Sequence, residues 1–396
     1  MAAHAAEGTA ARVAGHDVVV IQDTSELVLG GRRARANGYG PVGKGGVLSG
    51  LLLHAVLAVE VETGAVLGLV DAQVRNRMGN KLKPRRSRKT ADKESQRWLD
   101  GTVRAGQVLA AANSITGVSD RESDMFEHFA ARPSNMDLIV RANQNRLIEA
   151  ETTETSALLF AFIDSMPEQG RFRTEIPAAP GRKKRETELA VRFSPVVLRK
   201  PLHAAGRDLP KTLTLTMVDV RETSVPADGE PLHWRLLTTH TVGDLSEARR
   251  IIALYRQRWL IEEFFHTLKT AGFDIEGADI GNPSAMMNLV VAATIAAVSV
   301  MQLVKARDGT SRRPLDDVFD QEDRRLLEAI SATLEGNTAR QKNPHPVGSL
   351  AYAAWILGRL GGWTGYYGKP GPQVMRRGLD DFQRIKFGAT LGVQHV

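Results

Sequence analysis

Asp23, Asp120 and Glu262 are acids in three separate segments of the chain, the residue type that binds hard divalent cations. The third lies in Tyr255-Arg-Gln-Arg258-Trp-Leu-Ile-Glu262-Glu-Phe-Phe-His266-Thr-Leu-Lys269. On one continuous helix, Tyr255, Arg258, Glu262, His266 and Lys269 fall within an arc of roughly 80° at about 100° per residue, a single face. An acid flanked by a phenol and cationic side chains makes a poor apolar core and a good seat for a metal ion beside a phosphate. Two ions about 3.5–4 Å apart can activate an attacking oxygen and stabilise the leaving oxygen of a phosphodiester. Mg²⁺ or Mn²⁺ suits three carboxylates, because each ion takes one or two of them and completes its shell with phosphate and water. Arg258 would contact phosphate oxygens as a planar fork, Lys269 as a point charge, and Tyr255 through its hydroxyl.

The elements that must position these groups alternate in type. Val18-Val-Val-Ile21 is a β-branched run that reads as a strand buried on both faces, delivering Asp23 at or near its exit. Leu51 to Glu62 and Ala65 to Val74 read as strands of a hairpin turning at Thr63-Gly64. Lys93 to Asn113 has helical spacing, Ser114 to Val118 is a short strand ending at Ser119-Asp120, Asp124 to Ala131 looks helical, and Asp137 to Arg141 is a further strand. A right-handed crossover would set the first and fourth strands side by side and bring Asp23 and Asp120 together, the strand order of a ribonuclease-H-like fold. Residues 144–240 break that alternation with eight prolines and β-like pieces at Lys211 to Val220 and Trp234 to Thr238, a mainly β insertion. A helix is expected from Asp244, with Asp244-Leu-Ser-Glu247 as its capping box, to about Thr270, ending at an αL Gly272. From Asn282 onward the chain reads as mostly helical. Domains are expected at 1–143 and 241–304 for the two parts of the core, 144–240 for the insertion and 305–396 for a helical C-terminal region.

The bulk composition narrows the chemistry. With 396 residues, 42% of them apolar and 24% charged, the chain can bury a sizeable core in two or three domains. Zero cysteines exclude disulfides, thiolate zinc sites and cysteine nucleophiles, and fit a reducing cytoplasm. Leu289 to Val304, the longest apolar run, contains Thr294, Ser299 and Gln302 and reads as a buried helix rather than a membrane span. A net charge of +7 fits a polyanionic partner without specifying one. Gly30 to Gly46, with Arg32, Arg33, Arg35 and Lys44, reads as a basic loop, and the basic runs at Lys81 to Lys89 and Arg182 to Arg185 read either as solvated loops or as DNA contacts. Taken singly, Asp23 and Asp120 are ordinary turn residues and Arg258 and Glu262 an ordinary surface ion pair; the three acids combined with Tyr255 and Lys269 at fixed spacing carry the functional reading, whereas Trp234, heading an apolar strand, reads by itself as a core tryptophan. His54, inside an apolar run, reads as a satisfied core histidine.

The pattern Tyr255-x2-Arg258-x3-Glu262-x6-Lys269 resembles the Y-R-E-K signature of bacterial cut-and-paste DDE transposases of the insertion-sequence-four family. The resemblance runs through most of the chain. Val20-Ile-Gln-Asp23-Thr is similar to that family's first-aspartate segment, Val118-Ser-Asp120-Arg-Glu-Ser-Asp124 to its second, and Leu350 to Trp363 to its C-terminal block. The resemblance implies a double-stranded DNA substrate, and excision by nicking, hairpin formation, hairpin opening and strand transfer in a DNA-bridged homodimer of bacterial cytoplasm, dimerised through the C-terminal domain. It also implies that Trp234, 21 residues before Tyr255, stacks on a base flipped from the hairpin, and that Arg121 reaches the same phosphates. The chain departs from the family twice. Only 22 residues precede Asp23, so the end-binding helical domain looks missing. His266 stands where close relatives carry lysine, which makes that phosphate contact weaker or pH-dependent. The first departure motivates an alternative, a shortened non-catalytic protein that dimerises with and inhibits a full-length transposase; a further alternative is a metal-dependent nuclease of the same fold without strand transfer.

Overall fold

The computed structural model describes residues 1–30, 37–77, 94–149, 157–176, 184–204, 208–224 and 230–393. Arg32, Arg33, Arg35, the run from Lys81 to Lys89, Arg182 and Lys183 lie outside the described residues. In chain order the first elements are α1 (Ala2–Arg12), β1 (Asp17–Val28), β2 (Gly40–Val42), β3 (Leu48–Glu60), β4 (Val66–Arg75) and α2 (Gln96–Val108). Then come β5 (Ser114–Ser119), α3 (Phe126–Ala130), β6 (Asp137–Arg141), β7 (Leu147–Glu149), β8 (Ala157–Leu158), α4 (Leu159–Ser165), β9 (Gly170–Ile176), β10 (Arg185–Arg199), β11 (Thr212–Glu222) and β12 (His233–Thr238). The helices α5 (Leu245–Arg256), α6 (Trp259–His266), α7 (Pro283–Ala306), α8 (Asp323–Leu334), α9 (Leu350–Leu360) and α10 (Pro372–Val393) follow. The architecture is mixed α/β: a ribonuclease-H-like core carrying a β-rich insertion, followed by a helical C-terminal region.

These elements fold into two compact units, one of residues 1–83, 107–113 and 259–396, the other of residues 84–106 and 114–258. In the first unit β3 pairs antiparallel with β1 from Gly50 to Glu60 and with β4 across the turn at Gly64, whose φ of 69° favours glycine. All thirteen β3 residues but the first are buried, which is why that strand is a nearly unbroken apolar run. On β4 sits α1, with Thr9 Oγ1 donating to the Leu69 carbonyl at 2.7 Å. Helix α7 is long and apolar enough to cross a membrane by length and composition, yet 56% of its most apolar window is buried within the protein. It packs on β4, α1, α9 and α10, as expected of a core helix. Leu303, Leu350, Ala353, Leu357, Met375 and Phe382 join in the apolar cluster that holds α7 to α10.

The second unit is built on β5 and β6, parallel, with β6 then running antiparallel to β12 and on through β11 to β10. Strand β10 carries β9 on part of its length and β7 on another. One face of this sheet buries Leu138, Val140, Leu198, Met217 and Leu237 with Phe126, Phe129 and Leu159 from α3 and α4. Helix α5 packs toward β5 and β10.

Two local expectations differ from the structure. Strand β1 does not end near Asp23 but continues five residues to Val28, with Asp23 opposite Ala55. Backbone pairing to β3 carries the strand through Thr24, Ser25 and Glu26, whose polarity suggested an exit. The signature stretch is not one helix: regular structure stops at Arg256, resumes at Trp259, and passes into a π turn over Thr267–Ala271. The Gln257 and Arg258 amides bond instead to the carbonyls of Leu254 and Tyr255, at 3.1 and 3.0 Å. The 100° periodicity therefore holds on either side of the turn and not across it. Gly272 is not left-handed either, at φ −145°. It is needed because a Cβ there would stand 2.8 Å from the Thr267 carbonyl oxygen.

Candidate active site

Of the nine residues singled out by sequence, Asp120, Arg121, Trp234, Tyr255 and Arg258 belong to the second unit, and Asp23, Glu262, His266 and Lys269 to the first.

In the second unit Asp120 is the residue immediately after β5, extended at φ −89°, and it opens the tight turn Arg121–Ser123. Its carbonyl accepts from the Ser123 amide at 3.0 Å and the Ser123 hydroxyl at 2.9 Å. The next residue, Arg121, is exposed. Beyond the turn, Asp124 is buried at 1% exposure and is tied down from every side. Its carboxylate accepts from the Asn143 and Gln144 amides at 2.7 and 2.8 Å and from Arg146 Nη1 at 2.5 Å. His128, also buried, bridges the Ser123 carbonyl (3.2 Å) and the Thr102 hydroxyl (2.8 Å). A carbonyl can only accept, so Nδ1 carries the proton and Nε2 accepts from Thr102. Burial pushes this imidazole down to about 4, so it stays neutral. The segment presenting Asp120 is thus clamped by groups that offer no free charge of their own.

Tyr255, at the end of α5, is 4% exposed and directs its hydroxyl to Asp120 Oδ1 at 3.4 Å. Burial first, and the Asp120 charge second, push its phenol up to about 12, opposed by Arg258 and Arg141. At any physiological pH it is therefore a hydrogen-bond donor and not a base. Trp234, half-buried on β12, meets the Tyr255 ring edge-on, with centroids 5.3 Å apart at 68°. Arg141 is a residue that sequence reasoning missed. The parallel register pairs Ser119 with Val140, so Asp120, the first residue past β5, stands next to Arg141, the last residue of β6, which is still paired with Leu236 of β12. The strand-exit argument applied to Asp120 would have found it, since Arg141 ends the next strand. Asp124 and Arg146 gave no such signal, being partners brought together by a loop.

In the first unit Asp23 is half-buried on β1, and its Oδ1 accepts from the Thr24 amide at 2.7 Å. On the opposite face of that strand, His54 stands between the Thr24 hydroxyl (2.9 Å) and Gln22 Oε1 (3.3 Å), the satisfied core histidine expected. Helix α6 packs on β1 and presents Glu262 and His266 as exposed side chains. Lys269, in the π turn, is engaged by the protein itself: Nζ donates to the Glu26 carbonyl at 2.5 Å and pairs with Glu276 Oε1 at 3.3 Å. Glu276 Oε1 in turn accepts from the Val28 amide at 2.9 Å. π turns of this kind recur at functional sites.

Residues 80–298, more than half of the 396, match the transposase DDE domain, and the chain belongs to that family. It is a DDE transposase, of a class that acts on DNA and works with divalent metal ions. The matched span contains Asp120, Arg121, Trp234, Tyr255, Arg258, Glu262, His266 and Lys269, and begins after Asp23. The donors fit such ions, since Asp23, Asp120 and Glu262 are hard carboxylates at half-buried or exposed positions. Among the described residues no three His, Asp or Glu side chains form a ready-made cage, and Mg²⁺ does not call for one.

Proposed function

We propose that this transposase is of the insertion-sequence-four type and excises and inserts its element through DNA hairpins. Asp23, Asp120 and Glu262 would hold two Mg²⁺ or Mn²⁺ ions. When bound, these ions supply Lewis-acid activation of water or a 3′-hydroxyl and stabilise the departing oxygen. Water first attacks the phosphodiester at an element end, forming a new P–O bond while the 3′-oxygen leaves and takes a proton. That 3′-hydroxyl attacks a phosphodiester of the opposite strand to close a hairpin, releasing the flanking strand's 3′-oxygen as a hydroxyl; water then opens the hairpin, its P–O3′ bond breaking to free the element's 3′-hydroxyl, which attacks target DNA and displaces a 3′-hydroxyl there.

The chain's own residues serve these steps by holding phosphate in line. Tyr255, protonated throughout, donates its hydroxyl to a phosphate oxygen. Arg258 and Lys269 hold phosphates, with Arg121, Arg141 and His266 at the margins. Trp234 offers a face for a flipped base, a stack worth roughly 1–3 kcal/mol. The DNA complex would be a homodimer joined through the C-terminal region. The observation that carries this reading is the Tyr255 hydroxyl against Asp120, which joins the signature stretch to the second acid within one unit.

The test is incubation of the purified chain with Mg²⁺ and duplex DNA carrying the element's ends, resolved on denaturing gels. Hairpin products are expected. Nicks without hairpins would assign a nuclease lacking strand transfer, and silence combined with suppression of an active partner would assign a shortened inhibitor. Asp120→Ala should abolish cleavage while leaving the circular dichroism spectrum unchanged; cleavage that survives it places the site elsewhere.

A further inference from the structure

The end of the signature stretch is held by a residue more than a hundred positions away. Arg376, on α10, donates from Nη1 to the Gly272 carbonyl at 2.7 Å, and Gly272 closes the π turn that carries Lys269. Its Nη2 pairs with Asp380 one turn further along α10 at 3.3 Å, which fixes the guanidinium's angle. The same group lies over the Phe273 ring, 5.4 Å from its centroid. A cation on the last carbonyl of a helical segment meets both an orphan acceptor and the negative end of the helix dipole.

Helix α10 is itself seated without slack. A Cβ on Gly378 would stand 1.9 Å from the Leu357 carbonyl oxygen, and one on Gly361 would stand 2.0 Å from that of Val374. Backbones of α9 and α10 therefore touch at two glycines, with Met375 and Phe382 fully buried beside them and Phe273 packed on the same cluster. This accounts for Gly361 in the block ending Gly358-Arg-Leu-Gly-Gly-Trp363, which the proposed chemistry leaves unexplained. A path of close contacts runs from α9 through α10 and Arg376 to the turn bearing Lys269. The far end of that turn is tied to β1 by Lys269 itself, at the Glu26 carbonyl.

We infer that Arg376 is a positioning residue: through Gly272 and Phe273 it fixes the turn on which Lys269 stands, so that the C-terminal helices brace the catalytic core. The link to catalysis rests on the reading of Lys269 as a phosphate contact. Hydrogen-exchange mass spectrometry on the full chain tests the brace without relying on activity. Arg376→Met should raise exchange across residues 267–273 about tenfold, the scale of one lost charge-assisted hydrogen bond, and leave β10 and β11 unchanged. Arg376→Lys, which keeps one donor and the charge, should recover part of that protection. Cleavage of end-bearing DNA should lose kcat in Arg376→Met with KM unchanged, because the turn is misplaced while the remaining DNA contacts stand. Unaltered exchange at 267–273 overturns the brace, as does a rise spread evenly over the whole unit. Raised local exchange with wild-type kcat overturns its service to the site. If the wild-type chain cleaves nothing while the local rise persists, the brace stands and the proposed function falls.

Discussion

Tyr255 joins two properties that can be separated by one oxygen atom. Tyr255→Phe keeps the ring and its edge contact with Trp234 and removes only the hydroxyl, whose bond to Asp120 is long at 3.4 Å. A neutral bond of that length contributes less than about 1 kcal/mol, so the variant should melt close to wild type near neutral pH. Tyr255→Ala also removes the buried ring and should cost about 3–5 kcal/mol. The phenol's raised value sets a sharper test at high pH. Below 10.0, the ordinary tyrosine value, both folded and unfolded phenols are protonated and the group contributes nothing that depends on pH. Above it the unfolded phenol ionises while the folded one resists until about 12, so stability is lost through that window as pH rises. Between pH 10 and 11 the wild type should lose about 1 kcal/mol more than Tyr255→Phe in urea midpoints measured side by side. Cleavage by the phenylalanine variant should fall about tenfold with no change in pH profile from 7 to 9, as suits a lost donor rather than a lost base. Equal alkaline slopes would mean that the phenol is not desolvated beside Asp120, and undiminished cleavage would remove it from the chemistry.

Acid should act through His128. Its value of about 4 lies below the ordinary 6.5, so its contribution is complete above 6.5 and disappears as pH falls toward 4, about 3 kcal/mol over that range. His128→Asn should flatten this acid slope in denaturant titrations, and an unchanged slope would assign it to other groups. Asp124→Ala strands two backbone amides and the Arg146 guanidinium, whose side chain is 9% exposed, and should cost about 3–5 kcal/mol in urea unfolding. Adding Arg146→Met should recover part of that loss, and full additivity of the two changes would deny the pairing. Two glycines of α10 should behave in opposite senses by thermal melt. Gly378→Ala drives a Cβ into the Leu357 carbonyl and destabilises by about 1–3 kcal/mol, whereas Gly388→Ala meets nothing within 4 Å and gains about 0.5–1 kcal/mol of helix propensity.

How much of this was legible in the sequence depended on whether the determinant was local. Strand β6 spans Asp137 to Arg141, one residue either side of its apolar run, because Leu138, Ile139 and Val140 are buried together and their flanks are not. Asp244 caps α5 as its spacing implied, accepting from the Glu247 amide at 2.9 Å, although the Glu247 carboxylate turns back to Gly243 rather than to Asp244. The turn at Gln257 and Arg258 could not be read, since neither residue opposes helix and no proline or glycine marks the break. Their amides bond to i−3 carbonyls at the boundary where the chain passes from the unit that buries Leu254 and Tyr255 to the one that buries Leu260 and Ile261. A signature at fixed spacing records which residues a site needs, but not the path by which the backbone delivers them. Here one uninterrupted helix would have placed all five stripe residues on one rigid rod. The break instead divides them, leaving Tyr255 and Arg258 with Asp120 while Glu262, His266 and Lys269 stay with Asp23.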